Sequence, residues 1–129
     1  MEFLQQLRRY GETDRIAFRY GDKTMTFAQL DAWSDAFAAW LLKTFGDDRT
    51  PILLYGHKEL CLPVCMFGAI KAGRGYVPVD TTFPAERVAQ ILAQVQPKVM
   101  VDLRHLGLDA PVVLDEAKLR LIFETPAPG

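Results

Sequence analysis

The chain has 129 residues, 50% hydrophobic and 24% charged, the make-up of an ordinary soluble domain able to bury roughly two-thirds of its unfolded surface. Fifteen Lys and Arg against sixteen Asp and Glu give a formal charge of -1, and no basic stripe points to nucleic acid or an anionic membrane. No apolar run approaches the ~20 residues of a membrane span, and Met1 to Tyr10 lacks the apolar core of a signal peptide, so a cytoplasmic protein is expected.

In chain order the pattern is α/β, one unit over residues 1–129. Phe3, Leu4 and Leu7 stand at helical spacing in Met1 to Arg9, Tyr10-Gly11 breaks that pattern, and Ile16 to Tyr20 alternates into a strand. Gly21-Asp22 reads as a tight turn into a short strand, Lys23 to Met25, which makes a small N-terminal hairpin. Thr26-Phe27-Ala28-Gln29 is a capping box: the Thr hydroxyl accepts from the third helical amide and Gln reaches back to the cap amide. The helix it opens extends to Phe45, about 30 Å at 1.5 Å per residue, and Gly46 ends it. Leu30, Trp33, Phe37, Trp40 and Leu41 fall on one stripe, with Asp31, Asp35 and Lys43 expected on the other side.

Pro51 to Tyr55 is an unbroken apolar run, as in a strand covered on both faces. Glu59 to Ala72 reads as helix, and Gly73 sits where a left-handed residue would stop it. Gly75 to Val77 reads as a strand that Pro78 closes. A third helix runs from Pro84 to Gln94, with Val88, Ile91, Leu92 and Val95 inward and Pro97 as its limit, and Lys98 to Val101 is a strand. The core is therefore βαβαβ with a parallel sheet and flanking helices. Beyond Asp102, Val112 to Leu114 reads as one more strand, Asp115 to Arg120 as a helical turn or two, and residues 125–129 as a frayed end.

The run Gly68-Ala69-Ile70-Lys71-Ala72-Gly73-Arg74-Gly75-Tyr76-Val77-Pro78-Val79-Asp80 resembles the Lys-Ala-Gly-x-x-Tyr-x-Pro-[Ile/Val/Leu]-Asp element near the start of adenylate-forming (AMP-binding) enzymes. Thr24-Met25-Thr26-Phe27-Ala28-Gln29-Leu30 is similar to the Leu-Thr-Tyr-x-Glu-Leu element that begins adenylation domains, including those of nonribosomal peptide synthetases. Ser34-Asp35, Ile52 to Lys58, Pro84-x-x-Arg87 and Val95 to Lys98 look like the D-alanine–D-alanyl carrier protein ligase subgroup. Together these cover roughly residues 12 to 102, and the first motif is much the more specific.

The resemblance implies an N-terminal portion of an ATP-dependent ligase. Such enzymes activate an amino acid, here by likeness D-alanine, as an acyl-adenylate with ATP and Mg²⁺. They then pass it to a phosphopantetheine thiol on an acyl carrier protein, in this subgroup for lipoteichoic acid D-alanylation. The family's phosphate loop, Mg²⁺-placing segment, ribose-binding Asp and catalytic Lys come after the matched region. No catalytic, cofactor-binding or metal residue is therefore assigned, and residues 1–129 alone are expected to be inactive and prone to self-association. A free-standing α/β interaction or ligand-binding module is the alternative reading.

Several residues invite sharper readings. His57, Cys61 and Cys65 stand at i, i+4 and i+8, one face of a helix that begins early. Ligands so spaced diverge along about 12 Å and do not converge on one ion. A cysteine nucleophile lacks a placed partner, His105 being the other histidine. Asp80, at a strand's carboxyl end where α/β sites gather, is read as bonding local amides with Thr81 and Thr82. The Trp33, Phe37, Trp40 stripe is read as core rather than a ligand platform.

Overall fold

The computed structural model describes residues 16–57 and 59–125. The helix expected over Met1 to Arg9 and residues 126–129 of the frayed end lie outside the described residues. Strands β1 (Ile16–Tyr20) and β2 (Lys23–Thr26) form the antiparallel hairpin, closed at Tyr20 opposite Lys23. Helix α1 (Phe27–Phe45) opens on the expected capping box. The Gln29 amide donates to Thr26 Oγ1 at 3.1 Å, and the Thr26 amide donates to Gln29 Oε1 at 3.0 Å.

Strands β3 (Ile52–Tyr55), β4 (Tyr76–Val79), β5 (Val99–Asp102) and β6 (Val112–Leu114) make a parallel sheet in the order β4-β3-β5-β6. Helices α2 (Cys61–Lys71), α3 (Ala85–Val95) and α4 (Glu116–Phe123) complete it. β3 lies centrally and is buried at every residue, as its unbroken apolar run requires. Ile52, Leu54, Val99, Val101 and Leu114 face a core shared with α1, α2 and α4. Leu53, Tyr55, Val79 and Met100 face the other way, onto Val88, Ile91 and Leu92 of α3.

The aromatic stripe of α1 is core: Phe37 is buried, Trp33 stacks on Phe123 at 5.5 Å, and Phe37 stacks on Trp40 at 6.0 Å. α4 is the expected helix of about two turns, and these contacts explain why it extends to Phe123 instead of ending at Arg120. Leu119 and Phe123 bury against this core, and the Asp115 side chain caps the helix from the Lys118 amide at 2.9 Å. At Gly68, α2 crosses α1 so closely that an added Cβ would sit 2.7 Å from Phe37 Cδ2 and 3.1 Å from the Ser34 carbonyl oxygen.

Asp31 and Asp35 lie on the side opposite the stripe, as expected, yet that side is not left to water. Both turn toward α2, where Lys71 Nζ donates to Asp31 Oδ1 at 2.8 Å, Asp35 Oδ1 at 2.9 Å and Ser34 Oγ at 2.8 Å. A buried ammonium needs such partners, and Gly68 brings the two helices near enough to supply them.

Three boundaries also move. α2 begins at Cys61, two residues later than expected, so His57 precedes the helix. Pro84 is the cap of α3 rather than its first residue. Pro78 lies inside β4 instead of closing it. The amides of Ile52 and Gly56 donate to the carbonyls of Gly75 and Val79; by alternation, Pro78 turns its nitrogen to the unpaired side, where a missing donor costs no ladder bond.

Gly73 has φ +73°, as its position implies. The Arg74 amide donates to Ala69 O at 2.9 Å and the Gly73 amide to Ile70 O at 3.0 Å, the paired bonds of a Schellman stop.

Candidate functional site at the carboxyl edge of the sheet

A parallel sheet places every strand's carboxyl end on one edge. After β3 the chain passes to α2 on one face, and after β4 to α3 on the other. A cavity opens between these two strand ends, on the carboxyl edge along which α/β folds bind ligands. Gly56 and His57 follow β3, and Asp80 follows β4.

His57 Nδ1 lies 3.3 Å from Asp80 Oδ1. The same carboxylate oxygen accepts from the Thr82 amide at 3.2 Å and Thr81 Oγ1 at 3.3 Å. The local role expected for Asp80 is thus present, with His57 added to it. The Thr82 amide, helped by His57 and Thr81, holds the Asp80 carboxyl below its ordinary value.

On the other side of His57, its amide donates to Glu59 Oε2 at 2.6 Å, and Arg104 Nε donates to Glu59 Oε1 at 2.6 Å. Burial works to raise the Glu59 carboxyl, but the His57 amide and Arg104 outweigh it and leave it below its usual value. Arg104 is itself anchored at the end of β5. The buried Asp102 carboxylate accepts the amides of Arg104 and Leu106, both at 3.1 Å. Asp80, His57, Glu59 and Arg104 thus form a polar strap across the ends of β4, β3 and β5.

Beneath the strap lies a cavity of about 240 Å³ floored by Leu54, Leu62, Met66 and Phe83, with His57 and Asp80 at its rim. A second, of about 250 Å³, adjoins it and shares His57, Leu62 and Met66. At Gly56 an added Cβ would meet Glu59 Oε2 at 2.8 Å, so a larger residue there would push the Glu59 side chain aside.

The other singled-out residues do not join this crevice. Cys61 and Cys65 are buried inside α2. Burial pushes the Cys61 thiol up to about 11 and the Cys65 thiol well above its ordinary value, away from the thiolate that binds metal or attacks. His105 lines a different cavity, with Asp115 and Arg120. Among the described residues no three His, Cys, Asp or Glu side chains come together to hold a metal ion. Nor does a described helix have the length and apolarity to cross a membrane. Arg74, between Gly73 and Gly75, serves the fold: it is buried, donates from Nη1 to Thr50 O at 2.8 Å and lies 5.4 Å over the Phe45 ring.

The roles of His57, Glu59 and Arg104 escape a reading of local pattern. What marks them is position: each lies within a few residues of the carboxyl end of a parallel strand.

Comparison with known proteins extends this picture. A family model described as "AMP-binding enzyme" matches residues 3–125. The D-alanine–D-alanyl carrier protein ligase of Bacillus anthracis is 37% identical over 128 residues, covering 97% of this chain and 25% of that protein. Its Bacillus cereus counterpart is 36% identical over 129 residues, covering 97% and 26%. The chain therefore spans about a quarter of the length of these curated relatives. Among solved structures, a benzoate CoA ligase from Burkholderia xenovorans superposes with a TM-score of 0.82 at 19% identity, over 98% of this chain and 29% of that one. The nonribosomal peptide synthetase FmoA3, bound to alpha-methyl-L-serine-AMP, gives 0.73 at 25% identity, over 96% and 14%. A motif-bearing helix-stop-strand unit, a parallel sheet with this order and a family match across nearly the whole chain agree: the chain belongs to the AMP-binding enzyme family.

Proposed function

We propose that this chain is the N-terminal portion of an ATP-dependent ligase that activates D-alanine as an acyl-adenylate and hands it to the phosphopantetheine thiol of an acyl carrier protein, for D-alanylation of lipoteichoic acid in the cytoplasm. The observation that carries the reading is the 37% identity to a D-alanine–D-alanyl carrier protein ligase over 97% of the chain. Residues 1–129 act as one unit and contribute scaffold and one wall of the cleft. They supply none of the groups that neutralise charge developing on the α-phosphate, and Arg104, the cation of the polar strap, is engaged by Glu59.

ATP–pyrophosphate exchange tests this directly. Purified residues 1–129 give background exchange with D-alanine, whereas a ligase containing them exchanges with D-alanine in preference to L-alanine. Exchange by residues 1–129 alone would place the chemistry within them, and absence of D-alanine preference in the ligase would overturn the substrate.

The isolated chain also self-associates in this reading. Leu121 is 70% exposed beside a cavity of about 440 Å³ between α1 and α4, lined by Trp40 and Ile122. Light scattering over a concentration series reads it; a monomer at every concentration would count against it.

A further inference from the structure

The crevice between β3 and β4 has a chemical character that the strap alone does not explain. Its floor is apolar, formed by Leu54, Leu62, Met66 and Phe83. Its rim carries an anion. The Asp80 side chain is 43% exposed, and its three bonds all fall on Oδ1, from His57, Thr81 and Thr82. Oδ2 has no partner among the described residues. With its carboxyl held below the ordinary value, Asp80 is ionised at neutral pH.

Among the described residues, the Arg104 guanidinium of the strap is committed elsewhere, bound by Glu59 at 2.6 Å. Arg19 lines the adjoining cavity rather than this one. Phe83, by contrast, lines the same cavity as Asp80 and is 39% exposed. A ring and a carboxylate lining one cavity both favour an ammonium, the ring through its quadrupole and the carboxylate through charge. An anion entering the crevice would meet the Asp80 carboxylate, which repels it.

We propose that this crevice is a subsite for a small primary amine, with its ammonium at Asp80 Oδ2 and the Phe83 ring and its short aliphatic tail over Leu62 and Met66. The cavity of about 240 Å³ takes a tail of a few carbons. The inference stands on the crevice itself and goes beyond adenylation, because the exchange assay above and the binding assay below succeed or fail separately.

The experiment titrates the full 129-residue chain, labelled with ¹⁵N, with n-butylamine, n-butanol and n-butyrate in turn, at neutral pH and low salt. Saturable shifts of the Gly56, Met66 and Phe83 amides are expected for the amine, at least about tenfold tighter than for butyrate, with butanol between. Asp80→Asn brings the amine to the level of butanol. Phe83→Leu weakens the amine and leaves butanol little changed. Both side chains are well exposed, so the dispersed spectrum of each variant verifies its fold. Butyrate binding as tightly as butylamine, an unaltered amine affinity in Asp80→Asn, or no saturable shift at these amides would each overturn the proposal.

Discussion

Lys71 Nζ stands 2.8 Å from Asp31 Oδ1 and ties α2 to α1 one turn beyond the Gly68 crossing. The Lys71 side chain is 7% exposed and also reaches Asp35 at 2.9 Å. The motif that closes α2 is thus tied by one ammonium to Ser34-Asp35 and to Asp31, the residue that follows the motif opening α1.

Replacing it tests that joint. Lys71→Met keeps the aliphatic packing but leaves two facing carboxylates without their cation, and costs about 3 kcal/mol. Denaturant titration measures the loss, and Asp31→Asn with Lys71→Met recovers part of it. An unchanged midpoint in Lys71→Met would show that the helices are held by apolar contact alone.

Gly68→Ala is expected to destabilise by about 1–3 kcal/mol, because the new Cβ needs space held by the Phe37 ring and the backbone of Ser34. The same titration reads it, with Phe37→Leu as a partner substitution that relieves the crowding.

Gly73→Ala meets a different obstacle. At φ +73° an L side chain is strained, and its Cβ would stand 2.6 Å from Arg49 Nη1, which donates to the carbonyls of Ala72 and Gly73 at 3.1 Å. The cost is about 1 kcal/mol from the backbone, plus loss of the Arg49 bonds. Arg49→Ala separates the two contributions, since the backbone strain survives in the double variant.

Much of this architecture was legible in the sequence, because it is written in local chemistry. The Thr26–Gln29 capping box, the Gly46 and Gly73 stops and the apolar faces of α1 and α3 each depend on a few neighbouring residues. The partner of Asp31 and Asp35 is not legible in the sequence because it lies 40 and 36 residues away, and helical spacing alone shows a polar face without saying what it meets. The His57–Asp80 and Glu59–Arg104 pairs were hidden for the same reason. They are made by strand order, which brings together loops following β3, β4 and β5. Pro78 reads locally as a terminator, and only the location of β4 at the unpaired side of the described sheet shows why it is tolerated within the strand.

Acid stability has a definite sign at Asp48. Its carboxylate is bonded to Lys98 and accepts the Thr50 amide at 2.7 Å, and these hold it far below the ordinary carboxylate value. A group depressed in the folded state stabilises above its unfolded value, and that contribution is lost as pH falls through the folded one. Asp48→Asn is therefore less stable than the parent at pH 7, and the gap narrows below about pH 4. Thermal melts between pH 7 and pH 2 check this; a gap constant with pH would remove the linkage.

The thiols give a chemical readout of α2. With Cys61 pushed up to about 11 and Cys65 further above its ordinary value by burial, iodoacetamide at pH 8 leaves both unmodified in the folded chain and alkylates both in denaturant. Rapid native labelling would mean that α2 opens readily. Stoichiometric zinc in the purified chain, by elemental analysis, would restore the ligand reading of these cysteines.

Pro78 also gives the sheet a direction. A strand arriving beside β4 would find no donor at the middle of the row, whereas β6, at the opposite border, carries no proline in its three residues. Among the described strands the β4 margin thus lacks a donor that the β6 margin keeps, and it resists the strand-to-strand stacking through which partly folded chains aggregate.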